Sequence, residues 1–324
     1  MANISVKHTL IDEISIIGLL EGYNLGPISH CRFLTRGLND TYLIITPRKQ
    51  YIFRVYRHGW RSEETIAFEL DALHHLHEKK YPASYPIAKR DGTYVCEIDA
   101  PEGLRYGVLF TYSKGVRPSI NAENAKLIGE VLGDLHHVTD DFHSERSRGF
   151  ELNLNHLLDE PTSLILPVIR KFLGKEVEGD IQEIVENLKT GLNNKKLETG
   201  FCHGDFHSRN MHMNKGRVEV FDFDCGAIGF RAYDVAVSWW NLLTNYGERE
   251  EECWDGLLNG YSSQRRLAKD DVDSLPLFIT ARRFWLLGTM LQNDDVWGTN
   301  WLNKQSLELF VLQVKTDMIR EIKR

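Results

Sequence analysis

A chain of 324 residues, 42% hydrophobic and 26% charged, has the make-up of a globular protein of about two domains and excludes a disordered, collagenous or coiled-coil chain. Its 39 Lys and Arg against 46 Asp and Glu leave a net charge of -7, so the basic footprint of a nucleic-acid binder is missing. The five cysteines (Cys31, Cys96, Cys202, Cys225 and Cys253) are scattered and free of CxxC, which argues against a disulfide framework or a zinc ribbon. The N-terminus has no signal-peptide pattern, and apolar stretches such as residues 14–20 are too short to span a bilayer; a cytoplasmic protein with no membrane role is expected.

The first third reads mainly as strands. Residues 28–34 and 41–46 are β-branched and aromatic and flank the short loop Thr35-Arg36-Gly37-Leu38-Asn39-Asp40. A turn at residues 47–50 leads into a third strand over 51–57, along which Tyr51, Phe53 and Val55 face one way and Ile52, Arg54 and Tyr56 the other. From Ser62 to about Lys79 the apolar period becomes helical, with Ser62 as N-cap and Glu63 and Glu64 in the first turn. Pro82 and Pro86 end this helix, and strands follow over 93–98 and 104–112. After Ser113-Lys114-Gly115, residues 122–138 form an amphipathic helix capped by Asn121. A helical stretch over 164–192 is expected to break near Gly174 and Gly179. A strand pair, 200–202 and 218–223, is expected to surround the polar loop 203–210, and at least three tryptophan-rich helices fill the chain from Tyr233 onward. The fold class is α+β: a small antiparallel-sheet lobe with one helix over residues 1–112, then a larger, mainly helical lobe over 113–324, hinged near 110–115.

Chemistry concentrates in CHGDFHSRNMHMNKGRVEVFDFDCG, residues 202–226. Asp205, Asn210 five positions later, and Asp222 after an apolar strand have the spacing of protein-kinase-type phosphoryl-transfer sites. In that pattern Asp205 accepts the proton of an acceptor hydroxyl, while the Asn210 amide oxygen and the Asp222 carboxylate offer hard oxygens to magnesium. The segment resembles the HGDxHxxN and DF(D/G) motifs of the aminoglycoside phosphotransferase and choline kinase superfamily. Further likeness lies in Gly37-Leu38-Asn39-Asp40-Thr41-Tyr42 (a nucleotide-positioning loop), residues 50–57 (the third strand), Glu69-Leu70-Asp71-Ala72-Leu73 (a helix carrying an acid), 107–115 (the hinge) and Tyr233-Asp234-Val235-Ala236. The resemblance implies a two-lobed protein-kinase-like fold, with ATP and Mg2+ as cofactors and nucleotide held between the lobes. It assigns Asp205 to catalysis, Asn210 and Asp222 to the metal, and Gly37, Asn39, Arg54, Glu69, Phe110 and Tyr112 to the nucleotide. One departure is Arg54, where many kinases place a lysine; its acidic partner is Glu69 or, on another helix face, Glu64.

Blander readings compete. The Gly37 loop is also an ordinary hairpin turn, and the Glu248, Glu250, Glu251 and Glu252 run is a solvated helix face unless it attracts a cationic substrate. The tryptophans Trp239, Trp240, Trp254, Trp285, Trp297 and Trp301 form either core or a cage for a cation. His74, His75, His77, His136, His137, His203, His207 and His212 lack HExxH or His-Cys spacing; His203 is expected to orient the loop by hydrogen bonds and His136 to pack in the core. Val220-Phe221-Asp222-Phe223-Asp224 also mimics the start of a DxD phosphatase, and a silent nucleotide-binding module is a third reading. The expectation is an ATP-dependent kinase acting on a hydroxyl of a small molecule (aminoglycoside, choline or homoserine-like), with no obligate protein partner. A protein Ser/Thr kinase of the same fold is the alternative.

Overall fold

The structure, a computed structural model, describes residues 4–320. The chain divides into two compact units, one running to Lys114 and including Ser144–Arg148, the other made of Gly115–His143 and everything from Gly149 onward.

The first unit opens with helix α1 (Glu13–Leu19), capped by the Asp12 carboxylate, which accepts from the Ile14 and Ser15 amides. Strands β1 (His30–Arg36), β2 (Asn39–Ile45) and β3 (Gln50–Tyr56) precede helix α2 (Glu63–Glu78), and β4 (Val95–Ala100) and β5 (Gly103–Thr111) follow it. They form one antiparallel sheet in the order β1-β2-β3-β5-β4. The alternation read along the third strand holds. Tyr51, Phe53 and Val55 join Ile16, Leu20, Tyr42, Ile44 and Leu109 in a core on the α1 side. Arg54 lies on the other face, bonded to α2. Ser62 and Thr65 cap α2 reciprocally: the Thr65 amide donates to Ser62 Oγ (3.3 Å) and the Ser62 amide to Thr65 Oγ1 (3.0 Å). Ser144–Arg148 is tied in by Ser144 Oγ donating to Asp71 (2.6 Å) and Arg148 Nη1 donating to the Thr65 carbonyl (2.6 Å).

The second unit begins with α3 (Ala122–Val138), capped by Asn121. It continues with α4 (Glu160–Leu173), α5 (Lys175–Asn193), β6 (Thr199–Cys202), β7 (Met211–Asn214), β8 (Arg217–Val220) and β9 (Ala227–Phe230). Helices α6 (Arg231–Asn245), α7 (Glu250–Gln264), α8 (Lys269–Val272), α9 (Leu275–Gln292), α10 (Asp294–Trp297) and α11 (Lys304–Met318) complete it. Helix α9 packs against α4, α6 and α11, and its buried residues extend round most of its circumference, as a central helix requires. Helix α3 packs closely on α7: a Cβ on Gly129 would stand 2.0 Å from the Leu257 carbonyl, and one on Gly260 1.9 Å from the Lys126 carbonyl.

Three sequence expectations are corrected. Residues 200–202 and 218–223 do not pair with each other; β6 pairs with β9, and β8 pairs with β7. The missed hairpin turns on Lys215 and Gly216, both at positive φ (51° and 76°), in place of an Asn-Gly or Asp-Gly signal. The missed strand β9 contains Gly229, against which Leu152 packs where a side chain would be, so it carries no alternating apolar pattern. Finally, the helical stretch starts at Glu160 and breaks at Gly174 but not at Gly179, which sits exposed inside α5 with open space around it.

Candidate active site

The residues singled out from the sequence fall into two groups, one in each unit. In the first unit, Arg54 is 6% exposed and donates from Nη1 to Glu69 Oε1 (2.8 Å). The Tyr56 hydroxyl donates to the other Glu69 oxygen (2.8 Å), and the guanidinium lies 4.6 Å from the centroid of the Phe110 ring. Glu69 is therefore the partner of Arg54, while Glu64 accepts from the Ser147 amide (3.4 Å). The pairing follows from helix geometry: Glu69 is on the buried face of α2 with Ile66, Leu70 and Leu73. Gly37 lies between β1 and β2, its amide donating to the Asn39 carbonyl (3.0 Å), and Asn39 stands opposite Tyr56 in the ladder. Tyr112 is the residue after β5 and is half-buried. Asp40, the residue after Asn39 in β2, turns inward to a fully buried Arg105 (2.8 Å), a structural ion pair for which the sequence gives no signal.

In the second unit, the loop 203–210 joins β6 to β7, and the Phe221 amide donates to the Asn210 carbonyl (3.0 Å), so Asp222 follows directly beside Asn210. Asp222 is exposed and left-handed (φ 66°, ψ 60°), a conformation unusual for a residue with a side chain and common where function fixes the backbone. Asn210 Nδ2 donates both to the Asp205 carbonyl (3.0 Å) and to Asp205 Oδ2 (3.0 Å), which leaves the amide oxygen as the atom it can offer a cation. One charged carboxylate and one amide oxygen at adjacent positions are the hard donor set that magnesium takes alongside phosphates and water.

The loop is held from beneath by Asp234, the acid of the Tyr233-Asp234-Val235-Ala236 stretch in α6. It is wholly buried and accepts from the His203 amide (2.6 Å), the Gly204 amide (2.7 Å) and His136 Nε2 (3.3 Å). Gly204 is obligatory, because its φ is +78° and a Cβ would lie 2.3 Å from the Cys225 carbonyl. His203 does orient the loop: its Nδ1 accepts from the Asp205 amide (3.2 Å) and its Nε2 donates to the Phe221 carbonyl (3.1 Å). Burial lowers the pKa of both His203 and His136, outweighing neighbouring carboxylates, so both rings are neutral at pH 7. His136 Nδ1 is bonded to the Tyr261 hydroxyl (2.8 Å), so α3, α7 and α6 all converge on the loop's support.

Asp205 has two further neighbours that sequence reading missed as partners. His207 Nε2 lies 3.2 Å from Oδ2, and Arg282 of α9 donates from Nη2 to Oδ1. Burial pushes the Asp205 carboxyl up, but the Arg282 guanidinium and then His207 outweigh it and hold the group well below the usual carboxylate range. Arg282 is 2% exposed, with its guanidinium carbon 5.1 Å from the Trp240 ring and 4.6 Å from the Trp285 ring. The tryptophan cage thus exists in part, and the cation it holds belongs to the chain itself. Trp239 and Trp254 stack in the core (4.2 Å), and Glu250 accepts from Trp239 Nε1 (2.5 Å) while Glu248, Glu251 and Glu252 are exposed. No signal near Arg282 marks it: it is one of two adjacent arginines in an apolar helix.

A five-stranded antiparallel sheet with two helices, followed by a helix-rich unit bearing Asp205, Asn210 and Asp222, defines the protein-kinase-like fold. The chain belongs to the phosphotransferase enzyme family, whose model matches residues 30–269, and it is an enzyme of the kinase class. An uncharacterized protein of Deinococcus radiodurans is 34% identical over 308 residues, covering 93% of this chain and 88% of that one. A homoserine kinase of Brucella anthropi is 25% identical over 323 residues, covering 98% and 93%. Among solved structures, an amicoumacin kinase in complex with AMP-PNP, Ca2+ and its ligand superposes with a TM-score of 0.77 at 18% identity, covering 94% of this chain and 92% of that one. A microcompartment-associated aminopropanol kinase reaches 0.74 at 22%, covering 94% and 95%. Among the described residues no helix is long and apolar enough to cross a membrane.

Proposed function

We propose that this chain transfers the γ-phosphate of ATP to a hydroxyl group of a small molecule, with magnesium as the metal. The acceptor oxygen attacks the γ-phosphorus, the bond to the β,γ-bridging oxygen breaks, ADP leaves, and the hydroxyl proton passes to Asp205. Because the transition state is loose, Asp205 acts first by orienting the hydroxyl and takes the proton late, a role that suits a carboxylate of low basicity. Asn210 and Asp222 would hold the magnesium, which supplies charge neutralisation on the phosphates. The nucleotide is assigned to Gly37, Asn39, Phe110 and Tyr112, with Arg54 toward the phosphates and Glu69 fixing Arg54.

The observation that carries this reading is the joint anchoring of Asp205 and Asn210, side chain to side chain, beside the left-handed Asp222. A phosphatase that starts at Asp222 would leave the Asp205–Asn210 pair without a purpose. The test is an ADP-release screen with ATP and magnesium over amino alcohols, hydroxy amino acids, sugars and aminoglycosides, with Asp205→Asn as the control. Turnover that survives Asp205→Asn, or an acid-stable phosphate adduct trapped on Asp222, would sink it.

A further inference from the structure

Arg282 holds more hydrogen-bonding capacity than the chain uses. A guanidinium has five N–H donors, and Nη2 donates to Asp205 Oδ1. The other two nitrogens, Nε and Nη1, are buried with no acceptor from the protein. The buried Tyr233 hydroxyl is a polar neighbour that faces the guanidinium besides Asp205, without reaching hydrogen-bond geometry, and the rings of Trp240 and Trp285 stand beside it, 5.1 Å and 4.6 Å from its central carbon. Leaving donors of a buried charged group without acceptors is costly, and such groups persist where a ligand supplies what the protein does not. Asp205 alone balances the charge but satisfies only one of the three nitrogens.

We propose that Arg282 receives a carboxylate of the phosphoryl acceptor, so that the substrate is a short-chain hydroxy acid or hydroxy amino acid rather than a purely cationic amino alcohol or aminoglycoside. The inference rests on the kinase reading above, in which the acceptor hydroxyl meets Asp205. One guanidinium then touches both the group that orients the hydroxyl and the acceptor's own acid, so the two ends of the acceptor are only a few bonds apart. A carboxylate matches the guanidinium in both respects: it brings two acceptor oxygens to the remaining N–H groups and one negative charge to a buried cation. An ammonium in the same place would meet a guanidinium and leave the donors unsatisfied.

The test compares matched acceptors that differ in the acid alone: homoserine against homoserinamide and 3-aminopropanol, and 4-hydroxybutyrate against its amide. Steady-state ADP release gives kcat/KM for each, and calorimetry with AMP-PNP and magnesium reports nucleotide binding separately. The acids are expected to exceed their amides in kcat/KM by about 10⁴–10⁵-fold, the range for a site whose buried polar groups are left unpaired by the wrong ligand. In Arg282→Gln the ratio of acid to amide should collapse toward one with AMP-PNP affinity retained, an outcome that a merely structural role for Arg282 would not produce. Should that variant fail to fold, the wild-type ratio decides the matter alone. Equal use of the amides or of 3-aminopropanol, or inert acids in the presence of bound nucleotide, overturns the proposal while the kinase reading stands. A wild-type chain that binds no nucleotide and turns over no acceptor overturns both.

Discussion

At Asp205 two opposing influences meet: enclosure that disfavours a charge, and the Arg282 and His207 side chains that favour one. The second prevails, so Asp205 is ionised and firmly anchored, as the proposed role of orienting an acceptor hydroxyl and taking its proton late requires. Asp205→Ala should therefore lower kcat by about 10²–10⁴-fold, the range for a lost general base. Asp205→Asn should be nearly as damaging, since an amide accepts no proton. Nucleotide affinity should hold in both, measured by calorimetry with AMP-PNP; its loss in a folded variant would move Asp205 into the nucleotide site. The Arg54–Glu69 pair is the opposite case, two charges almost wholly out of solvent with Tyr56 closing the second carboxylate oxygen. Removing one partner strands the other, so Glu69→Ala should destabilise the chain by about 3–5 kcal/mol in denaturant titration. It should also raise the KM for ATP more than it lowers kcat, and an unchanged KM would detach the pair from nucleotide binding.

The seam between α3 and α7 shows how an element far from the loop in sequence governs it. Gly129 and Gly133 on one helix, and Gly256 and Gly260 on the other, each face the opposite backbone so closely that a methyl group would collide with it. That closeness brings Tyr261 to His136 and His136 to Asp234, whose carboxylate fixes the amides of His203 and Gly204. Gly260→Ala should force the helices apart, lowering stability by about 1–3 kcal/mol as overpacking does. Activity should fall with it, because the carboxylate under the loop loses its register. Gly179→Ala is the matched contrast: exposed within α5 with open space and no positive φ, it should raise stability by about 0.4–1 kcal/mol and leave turnover unchanged. Denaturant midpoints on the two variants check both signs. Helix α3 itself was legible from its apolar period and Asn121 cap, but the seam was not. A helical pattern records which face is buried, and nothing in it says that its glycines meet a second glycine pair more than a hundred residues later. The pairing of β6 with β9 was hidden for the same reason, since four-residue strands carry little period to match.

Across the whole molecule, legibility tracks sequence distance. Asp205, Asn210 and Asp222 could be grouped from the chain because they lie within one short segment whose spacing carries chemistry, and the strand-rich start and helical remainder follow from a change of period. Arg282 could not, since only the packing of α9 against α6 brings it to the loop, and nothing in the sequence sets it apart from the adjacent Arg283. The same interior gives the fold its pH dependence. His136 and His203 are wholly buried, and burial lowers the pKa of each below the ordinary 6.5. The unfolded chain thus binds protons at a pH where the folded one does not, and stability must fall as pH drops below about 6.5. The slope approaches about 1.4 kcal/mol per pH unit for each histidine while it stays neutral in the folded state and charged in the unfolded one. Asp205 works in the same direction but lower: its depressed pKa contributes stability that is present above the ordinary carboxylate range and is lost only as pH falls through the folded value. Unfolding free energies from denaturant titration at pH 5.0, 5.5, 6.0, 7.0 and 8.0 should therefore be level above about pH 7 and decline steadily below 6.5. In His136→Asn the decline should be shallower, with a lower plateau from the disturbed support of Asp234. A flat profile from pH 8 to 5 would mean that these rings gain protons in the folded protein as readily as in the unfolded chain, and the neutral, hydrogen-bonded scaffold described for the loop would have to be abandoned.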